Sequence, residues 1–295
     1  MKTLTVFTPT YNRAYTLQRT YESLCKQTSL DFEWLIVDDG STDNTSELVD
    51  EWKKSLMFPI RYFRKQNGGL HTGYNVAILN IETELCMCCD SDDYLPSDAV
   101  ETIVKTWRER GSDKLAGIIG LDFIHGKDEP IGGYFRNTDK TCHFLDLTPK
   151  LGHVGDVKMV HRTEILKPHV PMPSLNGEKN FNPIYIFLKV NPELEYILLN
   201  KNLCTVEYQP TGMSANIFYQ FRNSPRSFAE LRKVRLKHPR IKLSRKFVDA
   251  AHLFSSTLIA KDISILRDMP HKWMLCVSLP LGLAIYLLIL FKTKN

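Results

Sequence analysis

Two hydrophobic periods alternate along the first 121 residues. Leu4-Thr5-Val6-Phe7 is a short apolar run broken at Pro9, and Leu17, Tyr21, Leu24 and Cys25 then recur at helical spacing between Ala14 and Gln27. Glu33 to Val37 is a second strand-type run, followed by Leu48, Val49, Trp52 and Leu56 on one helical face. Ile60 to Arg64 predicts a third strand and His71 to Asn80 a helix beyond an Asn67-Gly68-Gly69 turn. Cys86-Met87-Cys88-Cys89 predicts a fourth strand. Pro96 and Ser97 start a helix carrying Val100, Ile103, Val104 and Trp107, and Leu115 to Leu121 predicts a fifth strand. Strands and helices in strict alternation imply right-handed crossovers and a mostly parallel sheet. The class is α/β, with ligands expected beyond the carboxyl ends of the strands.

From 122 to 215 the pattern loses regularity, with Gly132-Gly133, several prolines and an apolar stretch from Tyr185 to Val190, and is read as the part covering that crevice. The expected organisation is one domain over 1–215, divided into 1–121 and 122–215, then a basic helical segment over 216–268 and an apolar helix over 269–295.

Composition adds little except through its distribution. A 43% hydrophobic and 24% charged chain is globular, and the net charge of +5 is modest, but Asp and Glu crowd the first hundred residues while Arg and Lys crowd 222–246. Met1-Lys2-Thr3 leads directly into a strand pattern with no apolar signal segment, so a cytoplasmic body is expected. Cys86, Cys88 and Cys89 read as reduced thiols, since no Cys/His pair follows at zinc-site spacing.

The chemistry sits at the predicted strand ends. Asp90-Ser91-Asp92-Asp93 puts three carboxylates in four residues, an arrangement that repels itself unless a cation, a basic partner or solvent relieves it. Gly68 to Gly73 has phosphate-loop glycine spacing, but Tyr74 and Asn75 stand where Lys and Ser/Thr are required, and no G-x-G-x-x-G follows the first strand. Four motifs remain, in order: Thr8-Pro9-Thr10-Tyr11-Asn12-Arg13, Val37-Asp38-Asp39-Gly40-Ser41-Thr42-Asp43, Asn67-Gly68-Gly69 and Asp90-Ser91-Asp92-Asp93, each after a successive strand. Together they resemble the family 2 glycosyltransferases of the GT-A fold, of the bacterial surface-polysaccharide type, over roughly the first 130 residues.

That resemblance implies a metal-dependent inverting transfer from a nucleotide-diphospho-sugar, a UDP-sugar, to a glycan or lipid-linked acceptor. Asp39 would accept from the nucleotide base, Thr8 and Tyr11 would line its pocket, and Asn12, Asn67, Gly69 and Ser91 would complete the donor site. Asp90 and Asp92 would be the D-x-D carboxylates that hold Mn²⁺ or Mg²⁺ against the diphosphate. An inverting transfer also needs a base. The family's acidic position falls at Pro183, so Glu178 is the nearest acid and Asp156 the alternate. The rivals are a nucleotide-sugar-binding protein of the same fold with impaired catalysis and a nucleotidyltransferase, although Thr8 to Arg13 lacks the latter's glycine-rich loop.

Trp273 to Phe291 carries no charge and, at about 1.5 Å per residue, just reaches across a hydrocarbon core of about 30 Å. Pro280 and Gly282 near its middle favour a kinked, re-entrant or surface-lying helix. The basic run from Arg226 to Lys246 suits anionic lipid headgroups at the cytoplasmic face. It lacks interleaved aromatics for nucleic acid, which is not an expected partner.

Overall fold

The computed structural model describes residues 2–139, 141–175, 177–207 and 216–294. The boundary expected at 215–216 falls at the edge of a stretch, 208–215, that lies outside the described residues. The chain divides into two compact units: Met1–Gly68, Thr72–Val170 and Glu193–Gln209 in the first, and Gly69–His71, Pro171–Pro192 and Pro210–Asn295 in the second.

The first unit is built on a sheet of β1 (Leu4–Thr10), β2 (Phe32–Asp38), β3 (Ile60–Arg64), β4 (Leu85–Cys88), β5 (Leu115–Ile124), β6 (Val157–Arg162) and β7 (Glu195–Val206). Among the described residues these seven strands run in the order β3-β2-β1-β4-β6-β5-β7. β1 pairs in parallel with β2 and β4, and β2 with β3, while β6 is antiparallel to both β4 and β5 and β5 is parallel to β7. The alternating pattern therefore predicts the first five strands, and the irregular region adds two more.

Helices α1 (Ala14–Cys25), α2 (Thr45–Lys54), α3 (Leu70–Asn80) and α4 (Ala99–Arg110) supply the crossovers. Because both faces are covered, β1 is buried at every position. Leu4, Val6, Trp34 and Ile36 pack with Leu17 and Leu24 of α1, Val49 and Trp52 of α2, and Ile103 and Trp107 of α4. Tyr21 stacks on Trp52 at 4.6 Å between ring centroids. On the opposite face Tyr74 of α3 meets Phe7 edge-on at 5.0 Å. Two short helices, α5 (Leu147–Leu151) and α6 (Thr163–Leu166), flank β6. Ala116, Ile119 and Leu121 of β5 form a second core with Phe135, Cys142 and Tyr196.

The second unit holds the single turn α7 (Ile184–Phe187), then α8 (Ile217–Asn223), α9 (Pro225–Lys237), α10 (Leu243–Ala260) and α11 (Trp273–Lys292). The basic run is amphipathic rather than uniformly solvated. Asp249, 3% exposed, accepts from Arg235 Nε at 2.9 Å and Arg232 Nη1 at 3.2 Å, which pins α9 to α10. Ala229, Leu236, Ala250, Leu253 and Met274 form that unit's core.

β6 enters between β4 and β5 through a backbone approach that only glycine permits. Gly117 has φ +147° and pairs with His161, and a Cβ there would collide with the Val160 carbonyl. Gly117→Ala is expected to cost about 3 kcal/mol or more, read as a lowered urea midpoint with unchanged slope. An unchanged midpoint would mean that β5 and β6 are not held at this separation.

Candidate active site

The parallel register sets the ends of β1, β2, β3 and β4 along one rim, as the alternating pattern predicts. Thr10 pairs with Asp38 and Asp38 with Arg64. Beyond those pairs the chain leaves the sheet in loops that tie themselves together. Asp39 N donates to Thr10 O at 2.8 Å, and Asn12, at φ +50°, accepts from Thr42 N at 2.8 Å while its own N–H donates to Ser41 Oγ at 2.9 Å. A left-handed Asn with its side chain closing a loop is a common local economy of backbone hydrogen bonds.

The two aspartates after β2 divide the labour. Asp38 is fully buried and accepts from Ser41 N at 2.7 Å and from the Tyr62 hydroxyl at 2.6 Å, so it shapes the loop. Asp39 turns the other way, to Lys65 Nζ and to Gly68 N at 2.9 Å, and so links the loop after β2 to the turn after β3. Gly40, at φ +84°, passes within 3.0 Å of the Lys65 carbonyl where a side chain would stand. Tyr11 is 47% exposed beside this loop and Asn67 half-buried. Gly69 belongs to the second unit, at φ +96°, and a Cβ there would strike the Lys179 carbonyl of the same unit.

Thr8 does not reach the rim. It lies on the face of β1 that carries Leu4 and Val6, is fully buried, and its hydroxyl accepts from Trp34 Nε1 at 2.9 Å. Strand alternation sends its side chain into the core, away from the loops at the rim.

Asp90-Ser91-Asp92-Asp93 turns away from the end of β4 and is clamped from α1. Arg19 Nη2 donates to the Asp92 carbonyl at 2.5 Å, Thr20 Oγ1 donates to the Asp93 carbonyl at 2.7 Å, and Asp93 N closes the turn on Asp90 O at 3.0 Å. Arg19 also pairs with Glu207 after β7. Asp90 is exposed and accepts from the Cys88 thiol at 3.4 Å, whereas Ser91 is buried. Asp92 is half-buried with Arg13 Nη1 3.8 Å from its carboxylate. Burial and the neighbouring Asp90 raise its pKa, with Arg13 opposing.

Among the described residues no three His, Cys, Asp or Glu side chains converge as a ready-made metal cage. Asp90 and Asp92 offer carboxylate oxygens at the turn, the donor type that a hard cation takes. Cys86 and Cys89 are buried free thiols, and Cys88 is a half-buried one.

Beneath the turn lies a group that the sequence pattern does not single out. Lys158, on β6, is 8% exposed, with Nζ 3.9 Å from Asp93 and 3.8 Å from Asp122 of β5. Burial opposes its charge, but Asp122, Cys204 and Asp93 outweigh it and hold the ammonium well above its usual range. One ammonium faces two carboxylates. Burial accordingly pushes Asp93 up to about 7 and Asp122 up to about 6. The only trace in sequence is a lysine within Val157-Lys158-Met159-Val160, an apolar run too short to be read as a strand. The antiparallel pairing of Leu85 with Arg162 and Met87 with Val160 sets the start of β6 alongside the carboxyl end of β4. Asp156 stands there, exposed, at the mouth of that strand, and its charge reaches Asp122.

Glu178 has a different occupation. In the second unit it is buried, its two oxygens accept from the backbone N–H groups of Arg226 at 2.9 Å and Ser227 at 2.7 Å, and the Arg226 guanidinium lies 3.8 Å away. It caps the first turn of α9, a place where a carboxylate is favoured by orphan amides and the helix dipole. Both of its oxygens are thus engaged at the head of α9.

Removing the buried ammonium leaves two buried carboxylates without a counter-charge. Lys158→Met is expected to cost about 3–5 kcal/mol, with part recovered in the double variant Lys158→Met/Asp122→Asn; equal stability of the single variant and the parent in urea would refute the pairing. Asp122 also makes a pH prediction. Its folded value is raised, so it contributes stability at low pH that is lost as pH climbs from 3.8 through about 6. Asp122→Asn should therefore gain on the parent across that window, by on the order of 2 kcal/mol. A stability difference independent of pH would contradict it.

Comparison with known proteins agrees with this geometry. The family model described as "Glycosyl transferase family 2" matches residues 5–162, more than half of the 295-residue chain. The chain is similar to the poly(ribitol-phosphate) beta-N-acetylglucosaminyltransferase TarS of Staphylococcus aureus, 28% identical over 169 residues, which cover 57% of this chain and 29% of TarS. It thus spans under a third of the length of that relative. Among solved structures, S. aureus TarS 1-349 in complex with UDP-GlcNAc superposes with a TM-score of 0.62 at 19% identity over 97% of this chain and 82% of that one. The mannosyltransferase PcManGT from Pyrobaculum calidifontis in complex with GDP-Man and Mn²⁺ gives 0.56 at 16% identity over 99% and 88%. At such identities these likenesses are ones of fold, the GT-A fold. On the matched residues and the four strand-end motifs, the chain belongs to glycosyl transferase family 2.

Proposed function

We propose that this protein is a metal-dependent, inverting glycosyltransferase that moves a sugar from a UDP-sugar to a glycan or lipid-linked acceptor in surface polysaccharide synthesis. The observation that carries this reading is the arrangement at the rim of the first unit, where the Asp90–Asp93 turn is fixed through Arg13 and α1 while Asp39 stands in the loop of the neighbouring strand pair. TarS and PcManGT share the fold and have been solved with UDP-GlcNAc and with GDP-Man and Mn²⁺.

In this reading Asp39 accepts a hydrogen bond from the nucleotide base, with Tyr11, Asn12, Asn67 and Ser91 as the remaining donor-binding residues of the first unit. Asp92 and Asp90 hold Mn²⁺ or Mg²⁺, which when bound offsets negative charge on the leaving nucleoside diphosphate. Arg13, already beside Asp92, is placed to turn to the same phosphates. The acceptor hydroxyl forms the new bond to the anomeric carbon on the face opposite the departing oxygen, and its proton passes to a carboxylate. Asp156 takes that role better than Glu178, because it is exposed just before β6, whereas both Glu178 oxygens accept from amides at the head of α9. The membrane reading rests on α11, the one helix among the described residues long and apolar enough to cross a bilayer. Seven free thiols suit a reducing compartment, and so the cytoplasmic face.

Purified protein screened with UDP-sugars should release UDP in a divalent-dependent manner. Asp92→Ala is expected to abolish metal-dependent stabilisation by UDP with the fold intact, while Asp156→Asn should retain UDP binding and lose about 10²–10⁴-fold in turnover. Turnover undiminished in Asp156→Asn rejects that base, and release of pyrophosphate would make the protein a nucleotidyltransferase. The occupation of Glu178 and the proline at 183 favour one second reading, a nucleotide-sugar-binding protein without catalysis, which UDP binding with no turnover across the panel would establish.

A further inference from the structure

Apolar on every side, α11 is nevertheless packed along one stripe. Met274, Ser278, Gly282 and Ile289 are buried, and Trp273, Val277, Leu281, Leu283, Leu287 and Phe291 stand open. Only 22% of its most apolar window is buried. The stripe seats on α10, and the two helices run parallel. Trp273 meets Phe247 edge-on at 5.6 Å, Ser278 Oγ donates to the Phe247 carbonyl at 3.1 Å, and a Cβ at Gly282 would stand 2.8 Å from the Ala251 carbonyl and the Phe254 ring. At its far end Arg222 of α8 donates to the Thr293 carbonyl at 2.6 Å.

Parallel neighbours require the connecting chain to travel back along them. That return, 261–272, carries Lys261, Asp262, Arg267, Asp268, His271 and Lys272. On α10 itself, Asp249 lies in its pairing with Arg232 and Arg235. Standing α11 across a bilayer would draw these charges into hydrocarbon, where charged side chains are expensive. Laid flat, the same helix sinks its open face among the acyl chains and leaves every one of them in the headgroup layer or in water.

The ends of α11 choose the partner. Lys272 lies at one end, Lys292 and Lys294 at the other, and Lys242 and Arg245, both exposed, start the neighbouring helix. A second copy paired across the apolar face would set cation against cation in either direction, whereas anionic lipid phosphates complement both ends.

We infer that α11 docks side-on to an anionic lipid bilayer, in the membrane plane, with its two ends on the same side. This rests on the membrane-associated reading above and specifies how the association is made.

The test uses the full chain, floated with vesicles of phosphatidylcholine and phosphatidylglycerol. Binding should weaken with salt and be poor on phosphatidylcholine alone. Leu281→Asp/Leu288→Asp, at two exposed positions, should keep its circular dichroism and thermal midpoint and lose at least about tenfold in vesicle binding per leucine. In a Cys276→Ser background, Lys272→Cys and Lys294→Cys should both react with a membrane-impermeant maleimide added to vesicle-bound protein. Protection of one end would overturn the side-on pose while keeping the membrane reading, whereas no flotation on any vesicle would remove that reading itself. A dimer in solution that the double aspartate variant dissociates, without flotation, would assign the face to a second copy and overturn the inference.

Discussion

Parallel strands deliver their carboxyl ends, and the loops beyond them, to one edge of a sheet, and in this chain those loops are rich in aspartate. The negative charge gathered there has to be compensated, and the molecule does so at two depths. At the rim, Arg13 stands by Asp92 and Lys65 by Asp39, cations that are partly exposed. Below it, Lys158 serves Asp93 and Asp122, all three buried, where no ligand can take its place. The outer pairs leave room for binding. The inner one holds up the Asp90–Asp93 turn.

The inner group is not a cheap solution. A buried ammonium shared by two carboxylates gains less from attraction than it costs to dehydrate unless the geometry is fixed by other means. Here the backbone supplies the fixing: Thr20 and Arg19 hold the carbonyls of Asp93 and Asp92, and β6 is locked to β4 and β5 by a glycine approach at Gly117. Burial relieves the remaining charge by holding protons on the two carboxylates, Asp93 and Asp122, more tightly than usual.

The first half of the sheet is legible in the sequence because its information is local. Strand, turn residue and helix follow one another within thirty residues, and the motifs occupy the positions where an α/β sheet must place ligands. Asp38, Asp39, Asn12 and the Asp90 turn all stand at the strand ends where that order puts them. What the pattern could not carry was pairing at a distance. β6 reads as Val-Lys-Met-Val-His-Arg, where both faces mix polar and apolar residues because one polar residue faces buried carboxylates. β7 is interrupted by Asn200-Lys201-Asn202, where its register with β5 shifts. Thr8 was assigned to the rim by motif, although the period of the strand sends it inward. Glu178 is the acid nearest in sequence to Pro183, yet the amides that claim it come from Arg226 and Ser227, far along the chain.

The same reasoning explains how α11 can be apolar all round and still belong to a folded unit. Its neighbours are already fixed by polar contacts, Glu178 at the head of α9 and Asp249 between α9 and α10, so α11 contributes little more than a narrow stripe to hold itself in place. Ser278 and Gly282 make that stripe narrow, since small residues let the α10 backbone come close without wide side-chain interdigitation. A helix needed for the core would have buried its leucines. This one keeps Leu281, Leu283, Leu287 and Leu288 outward while Ser278 and Gly282 face in, the reverse of what burial in water selects, and the inversion is what a lipid surface, and not a protein interior, would favour.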